Sequence, residues 1–234
     1  MKTIGLIGGM SWESTALYYR LMNREVAARL GGLRSARVLL DSLDFETVVA
    51  QQRAGAWDVL GARLADAARR LETAGADCVL IGTNTMHRVA GTVRAAVSVP
   101  LLHIVDVAAA AMRRAGCRRI ALLGTRYTME QPFYAEHLAR RGVGCVVPDA
   151  HDREEVHRVI YDKLCRGMVC NPSRMRLQAL VDRLAQRGAD GVALACTELP
   201  LLLSAQDVAL PLFDTTALHA SAAVAFALDA PLDG

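Results

Sequence analysis

LETAGADCVLIGTNT (residues 71–85) and LAQRGADGVALACTE (residues 184–198) are built on one frame: a helix end, Gly-Ala-Asp, a short aliphatic run and then a polar cluster. Leu71 and Leu184, Gly75 and Gly188, and Asp77 and Asp190 are each 113 residues apart, and at that spacing Thr83 falls on Cys196. The aliphatic run in each copy is near-continuous rather than alternating, as in a parallel strand covered on both faces. A second pair, IGLIGGMSW (4–12) and IALLGTRYT (120–128), repeats at an offset of 116 and brings Tyr18 onto Tyr134. Such self-similarity predicts two copies of one α/β unit.

Working outward, further aliphatic runs complete the pattern. RVLLDS (37–42) and PLLHI (100–104) join TIGLIG (3–8) and DCVLIG (77–82) in the first copy. GCVVP (144–148) and LPLFD (210–214) join RIALLG (119–124) and DGVALA (190–195) in the second. Amphipathic stretches lie between them. Asn171-Pro172 reads as a cap with proline at the first helical position. Asp152 with Glu155 reads as a capping box. The expected fold is α/β, with two pseudo-symmetric units, each a four-stranded parallel sheet flanked by helices. The first unit takes residues 1–104 and 215–234, the last containing a final helix, TTALHASAAVAFAL; the second takes 105–214. The active site is expected in the cleft between them.

Composition excludes several function classes. Hydrophobic residues make up 53% and charged residues 22%, which supports a sizeable core and argues against disorder. Net charge is only +3, and no basic tract carries interleaved aromatics, so no nucleic-acid partner is expected. No apolar run is long enough to span a membrane. The N-terminal MKTIGLIGGM reads as a strand and turn rather than a signal peptide, so a cytoplasmic protein is expected. Its six cysteines are then reduced thiols, and Cys165 and Cys170 lack zinc-knuckle spacing, so no metal is expected. Gly5, Gly8 and Gly9 do not fit a dinucleotide fingerprint, and no Gly-Lys-Ser/Thr follows. No cofactor is expected.

In parallel sheets, ligands bind beyond the carboxyl ends of the strands. Thr83 and Cys196 both stand there, each before an expected helix whose first N–H groups would bind an anion and lower a nearby thiol pKa. If the two strand ends face each other, Thr83 and Cys196 flank a small ligand, the geometry for moving a proton from one face of a carbon to the other.

The segments GGMSWEST (8–15), TNTMH (83–87), LLGTRYTMEQ (122–131), CTELP (196–200) and FDTTALHA (213–220) resemble those of the aspartate/glutamate racemase superfamily. The resemblance spans the chain. It implies cofactor-independent racemisation, with two catalytic cysteines flanking the substrate α-carbon, and a homodimer. The second cysteine is present as Cys196, followed by Thr197 and Glu198. Thr83 stands in place of the first, with Asn84 and Thr85 retained. This pattern is closest to that of the L-aspartate/glutamate-specific or broad-specificity amino-acid racemases. It implies Cys196 and Thr83 as catalytic residues. Asn84, Thr85, Thr197 and Glu198 join them in the site, with Met10 and Ser11 from the first strand-to-helix turn. Gln52 lies where the family places substrate-contacting groups, often Arg. Cys165 stands where similar racemases have a Lys facing a substrate carboxylate, flanked here by Lys163 and Arg166.

A thiol supplies thiolate near neutral pH, whereas a threonine hydroxyl does not titrate in any accessible range. The pair is therefore asymmetric, with Cys196 as base and Thr83 as proton donor or relay. Enantiomers have equal energies, so the asymmetry shows only as an apparent preference in initial rates. A single-cysteine decarboxylase or isomerase of the same superfamily is the alternative enzyme. A non-catalytic amino-acid-binding protein is the alternative from another class. Cys78, Cys117, Cys145 and Cys170 are read as structural thiols, and His87, His103 and His219 as structural histidines near strand ends.

Overall fold

The structure, a computed structural model, describes residues 1–229 and divides into two compact units. Among the described residues, one comprises Met1–Ile104 with 219–229; the other is Val105–Leu218. The division falls inside the last helix, four residues beyond the boundary expected at 215. Residues 230–234, expected in the first unit, lie outside the described residues.

The first unit runs β1 (Ile4–Gly8), α1 (Trp12–Leu30), β2 (Val38–Ser42), α2 (Phe45–Arg53), α3 (Trp57–Thr73), β3 (Cys78–Ile81), a 3₁₀ turn (Thr85–Val89), α4 (Ala90–Ala95) and β4 (Leu101–Leu102). The helix α5 (Ile104–Arg114) starts at the boundary. The sheet order is β2-β1-β3-β4, all parallel. Alternate residues of the central strands feed two layers. Ile7, Val79 and Ile81 pack with Leu60, Leu64, Ala68 and Leu71 of α3. Ile4, Leu6, Cys78 and Leu80 pack with Tyr18, Met22 and Val26 of α1, and with Ala220, Ala223 and Val224 near the C-terminus.

The second unit runs β5 (Arg119–Gly124), α6 (Arg126–Glu130), α7 (Pro132–Arg140), β6 (Gly144–Val146), α8 (Ala150–Arg158), α9 (Asn171–Gln186), β7 (Gly191–Ala195) and β8 (Leu212–Asp214). The last helix, α10 (Thr215–Ala227), follows. The order β6-β5-β7-β8 repeats that of the first sheet, again all parallel. Leu123, Val192 and Leu194 pack with Val156, Val159, Leu177, Leu180 and Leu184. Every expected strand forms within its expected stretch.

Two caps differ from expectation. Asp149, not Asp152, is the N-cap of α8, and its side chain accepts the Asp152 N–H. Cys170 occupies the cap position of α9, and Asn171 belongs to the first turn, where its side chain accepts from Arg174 instead of capping. In both cases the residue chosen from sequence had the right chemistry within one turn of the true start.

The turn after β1 explains Gly9. Its φ is +82°, and a Cβ there would lie 2.0 Å from the Leu43 carbonyl oxygen. The Gly9 N–H donates to Thr15 Oγ1 at 2.8 Å, and Thr15 donates to the Ser11 carbonyl at 3.0 Å. Ser11 caps α1 by accepting from Ser14 N–H, and Thr125 caps α6 through Thr128 in the same way. The repeat thus extends to its caps.

His219 ties α10 to the first sheet. Its Nε2–H donates to the Leu102 carbonyl at 2.8 Å, and Nδ1 accepts from the Tyr18 hydroxyl at 2.9 Å. Both bonds suit the neutral ring, and burial pushes its pKa down from 6.5 to about 4. The unfolded chain therefore binds one more proton between those values. Stability from this group is fully present above pH 6.5 and is lost as pH falls toward 4, by roughly 3 kcal/mol in all. Urea denaturation between pH 7 and 4.5 will show this loss, and His219→Gln will flatten that part of the profile.

Candidate active site

The first unit gathers six of the expected site residues near the carboxyl ends of β1 and β3. Met10 and Ser11, both buried, belong to the turn after β1. Met10 packs in one cluster with Ile7, Val48 and Met86, which joins that turn to α2 and to the segment after β3. Gln52 projects from α2 into the same region, is only 5% exposed, and donates its amide N–H to Met86 Sδ at 3.2 Å. Its Oε1 is buried without a hydrogen-bond partner, and an orphaned acceptor of this kind costs about 1–3 kcal/mol. Gln52 was the least distinctive site residue in the sequence; its burial on α2 and its unmet acceptor set it apart from a surface glutamine.

Thr83 is half-buried, two residues beyond β3, while Asn84 and Thr85 are buried. Its backbone is pinned from both sides. The Thr83 N–H donates to the Ile81 carbonyl at 2.8 Å, and the Thr83 carbonyl accepts from His87 Nδ1 at 2.8 Å. His87 Nε2 in turn accepts the Ile104 N–H at 3.2 Å, which fixes the tautomer as neutral with the proton on Nδ1. His87 is therefore a positioning residue for Thr83.

The second unit gathers the other four. Cys196 directly follows β7 and is buried. Its thiol donates to Glu198 Oε2 at 3.0 Å, and the Thr197 hydroxyl donates to the same oxygen at 2.6 Å. Cys165 packs against the cluster that contains Cys196. So does Tyr161, which no sequence signal singled out. Both lie on an irregular extension of α8: a π-turn over Val159–Lys163 and a 3₁₀ turn over Leu164–Arg166. A π-turn re-aims a helix face and is frequent at functional sites. An α-helical reading of this segment would not locate Tyr161.

The expected lowering of the Cys196 pKa is overturned. No long helix starts at Cys196; a three-residue 3₁₀ turn, Leu199–Leu201, follows, and after Thr83 comes a five-residue one. Burial pushes the Cys196 thiol well above its ordinary value, and the Glu198 carboxylate beside it pushes the same way. Cys165 is raised to about 12 by burial and then by Glu198. Tyr161 is raised by burial and by Cys196 and Cys165. No cation figures among the groups acting on these three. Lys163, next to Cys165 in sequence, instead donates to Ser173 at 2.9 Å.

All six cysteines are free thiols; Cys78 is fully buried in the first core, and Cys117 donates to the Asp190 carbonyl. Among the described residues, no helix is long and apolar enough to cross a membrane.

Residues 7–223 match the family profile Asp/Glu/Hydantoin racemase. The chain is similar to the broad specificity amino-acid racemase RacX of Bacillus subtilis, with 27% identity covering 71% of this chain and 72% of that one. The crystal structure of a putative Asp/Glu racemase from Yersinia pestis is 48% identical, with a TM-score of 0.92 over 97% of this chain and all of that one. An aspartate racemase homologue from Pyrococcus horikoshii is 33% identical, with a TM-score of 0.85 over the same shares.

The Cys196–Glu198 contact carries its own prediction. Glu198→Gln removes the charge that opposes the thiolate, so the Cys196 pKa falls. Alkylation of Cys196 by iodoacetamide at pH 8, followed by peptide mass spectrometry, will be faster in Glu198→Gln than in the parent protein. An equal or slower rate would contradict the assignment.

Proposed function

Since the chain belongs to the Asp/Glu/hydantoin racemase family, we propose that it is a cofactor-independent racemase of aspartate, glutamate or a similarly small amino acid, with Cys196 and Thr83 serving opposite faces of the α-carbon. The observation that carries the reading is the Cys196–Glu198 pair, a buried thiol whose proton points at a carboxylate. It supplies what the chemistry needs, a sulfur base with a partner to take its proton. As substrate enters, its ammonium comes up beside the Cys196 sulfur and stabilises the thiolate. The thiol proton passes to Glu198, and the thiolate then takes the α-proton. The electron pair left on carbon delocalises into the α-carboxylate, which needs donors; Asn84, Thr85 and Thr197 are the expected ones. Thr83 delivers a proton to the other face and recovers one from water.

Thr83 is the weaker partner because its hydroxyl does not ionise in any accessible range. The direction that starts at Cys196 therefore dominates initial rates, and the family resemblance assigns it to the L-enantiomer. The equilibrium constant remains one, so the specificity constants of the two directions stay equal over the full cycle. Gln52 with its unmet acceptor is read as a substrate contact. Gln52 and Cys165 are both uncharged, which weakens the hold on a second carboxylate. Gln52→Arg is expected to raise kcat/KM for aspartate and glutamate relative to uncharged amino acids.

The direct test is α-proton exchange in D₂O, followed by NMR and chiral chromatography, with each enantiomer of aspartate and glutamate. Exchange from the L-forms that is lost by at least about 100-fold in Cys196→Ala is the expected result. Thr83→Cys will bring the rates of the two enantiomers together. Absence of exchange from all four would overturn the substrate assignment. Release of carbon dioxide from a malonate-type substrate would instead favour a single-cysteine decarboxylase.

A further inference from the structure

Racemisation by the proposed route leaves the second unit with a proton too many. The Cys196 thiol donates to Glu198 Oε2 at 3.0 Å. Passing that proton to Glu198 frees the thiolate, and the thiolate then collects the α-proton of the substrate. Sulfur and carboxyl are now both protonated. Reprotonation of the carbon from the Thr83 side does not reclaim the added proton. It has to leave for solvent from two side chains that are both buried.

A substrate can carry that proton away itself if it bears a leaving group on the carbon next to the α-carbon. A hydrogen on Cα and an oxygen on Cβ, eclipsed on one side of their bond, lie about 2.4 Å apart. The base and the acid that serve them need a similar spacing, and Cys196 Sγ and Glu198 Oε2 stand 3.0 Å apart. The Thr197 hydroxyl donates to the same oxygen at 2.6 Å and so holds it beside the sulfur. Two other acidic groups, Cys165 and Tyr161, pack against the cluster that contains Cys196. Burial and then Glu198 raise the Cys165 thiol to about 12, and burial raises the Tyr161 phenol above its ordinary value. Both are far weaker acids than a carboxyl, so protonation of a departing oxygen falls to Glu198.

We infer that this site also eliminates water from small β-hydroxy amino acids, with Cys196 taking the α-proton and Glu198 protonating the departing hydroxyl. Its first step is the α-proton abstraction proposed for racemisation, so this activity rests on that reading; the two routes part at the carbanion. For serine, the Cα–H bond breaks and its proton goes to sulfur. The electron pair left on carbon becomes the Cα–Cβ double bond. The Cβ–O bond breaks with its pair on oxygen, and the Glu198 proton completes a water molecule. The aminoacrylate formed takes a solvent proton on Cβ as its ammonium loses one, and water hydrolyses the resulting imine to pyruvate and ammonium. No oxidant or reductant enters the balance. The pair returns to the thiol–carboxylate contact from which it began, with no surplus proton to shed. Partition favours this route as well. Elimination uses the Cys196 face alone, whereas racemisation waits for Thr83, a weaker acid than the thiol. A carbanion that waits has time to expel its leaving group.

The test measures the 2-oxo acid by dehydrogenase-coupled oxidation of NADH, with L-serine and both diastereomers of β-hydroxy-L-aspartate as substrates. Cys196→Ala, prepared identically, is the blank. Oxo acid and ammonium formed in equal amounts by the parent protein, and absent from the blank, are the expected result. Glu198→Gln lacks the acid, so its rate on the hydroxy substrates should fall by about 100-fold or more. β-Chloro-L-alanine separates loss of the acid from loss of the fold, because chloride leaves without a proton. The Glu198→Gln loss should be at least about tenfold smaller with it than with serine. No oxo acid from any hydroxy substrate would overturn the inference, and so would an equal loss on serine and β-chloroalanine. α-Proton exchange in D₂O, run on the same substrates and on aspartate, keeps the two activities apart. Exchange without oxo acid overturns elimination alone; neither exchange nor oxo acid overturns the racemase reading as well.

Discussion

Parallel pairing is the constraint on which the rest depends. A parallel strand cannot be followed directly by its neighbour; the chain must return by a crossover, and here helices make the return. Every strand of a sheet therefore ends on the same side. In each unit that side collects a glycine-bearing turn, a hydroxyl-capped helix and a polar cluster after the third strand in sequence. Gly9 exists because the chain leaves β1 against Leu43, and Ser11 follows because α1 needs a cap. Thr83 and Cys196 are the two versions of what comes after the third strand. The repeat makes them equivalent in place, and substitution has made them unequal in chemistry.

Much of this was legible in the sequence, for physical reasons that can be named. Strands covered on both faces are aliphatic throughout, so their runs stand out against helices rich in arginine. The internal repeat showed the four-stranded unit twice over. The helix starts were blurred where several capping residues crowd together, as at Asp149 and Asp152, because only one of them has the extended backbone of a cap. What the sequence concealed was geometry that depends on an irregularity. The π-turn after α8 has no compositional signature, so Tyr161 went unnoticed and Cys165 was known only by position. Likewise, the Cys196 environment was expected to be that of a helix start. The following segment, Thr197-Glu198-Leu199-Pro200, turns too tightly for that, and its carboxylate folds back onto the sulfur.

That fold-back changes how the thiol is understood. A cysteine activated by a helix dipole would be ionised at rest. Cys196 is held neutral by burial and by a neighbouring anion, and the same anion is the acceptor for its proton. In the proposed mechanism, ionisation is conditional on a charge arriving with the substrate. His87, bonded on both ring nitrogens, gives the first unit a contrasting fixed element: it holds the Thr83 backbone in place.

The first unit is also discontinuous, closed by a helix that lies at the far end of the chain. Ala220, Ala223, Val224 and Ala227 complete the layer around Tyr18, Met22 and Cys78, and the Lys2 N–H donates to the Ala227 carbonyl at 2.8 Å. During vectorial synthesis, Ile4, Leu6 and Leu80 leave the ribosome with one side of their sheet uncovered. They stay so until α10 emerges. The second unit, continuous from Val105 to Leu218, has its own core complete before then. The unit made first is thus the one finished last, and its open apolar layer is the surface a nascent-chain chaperone would meet.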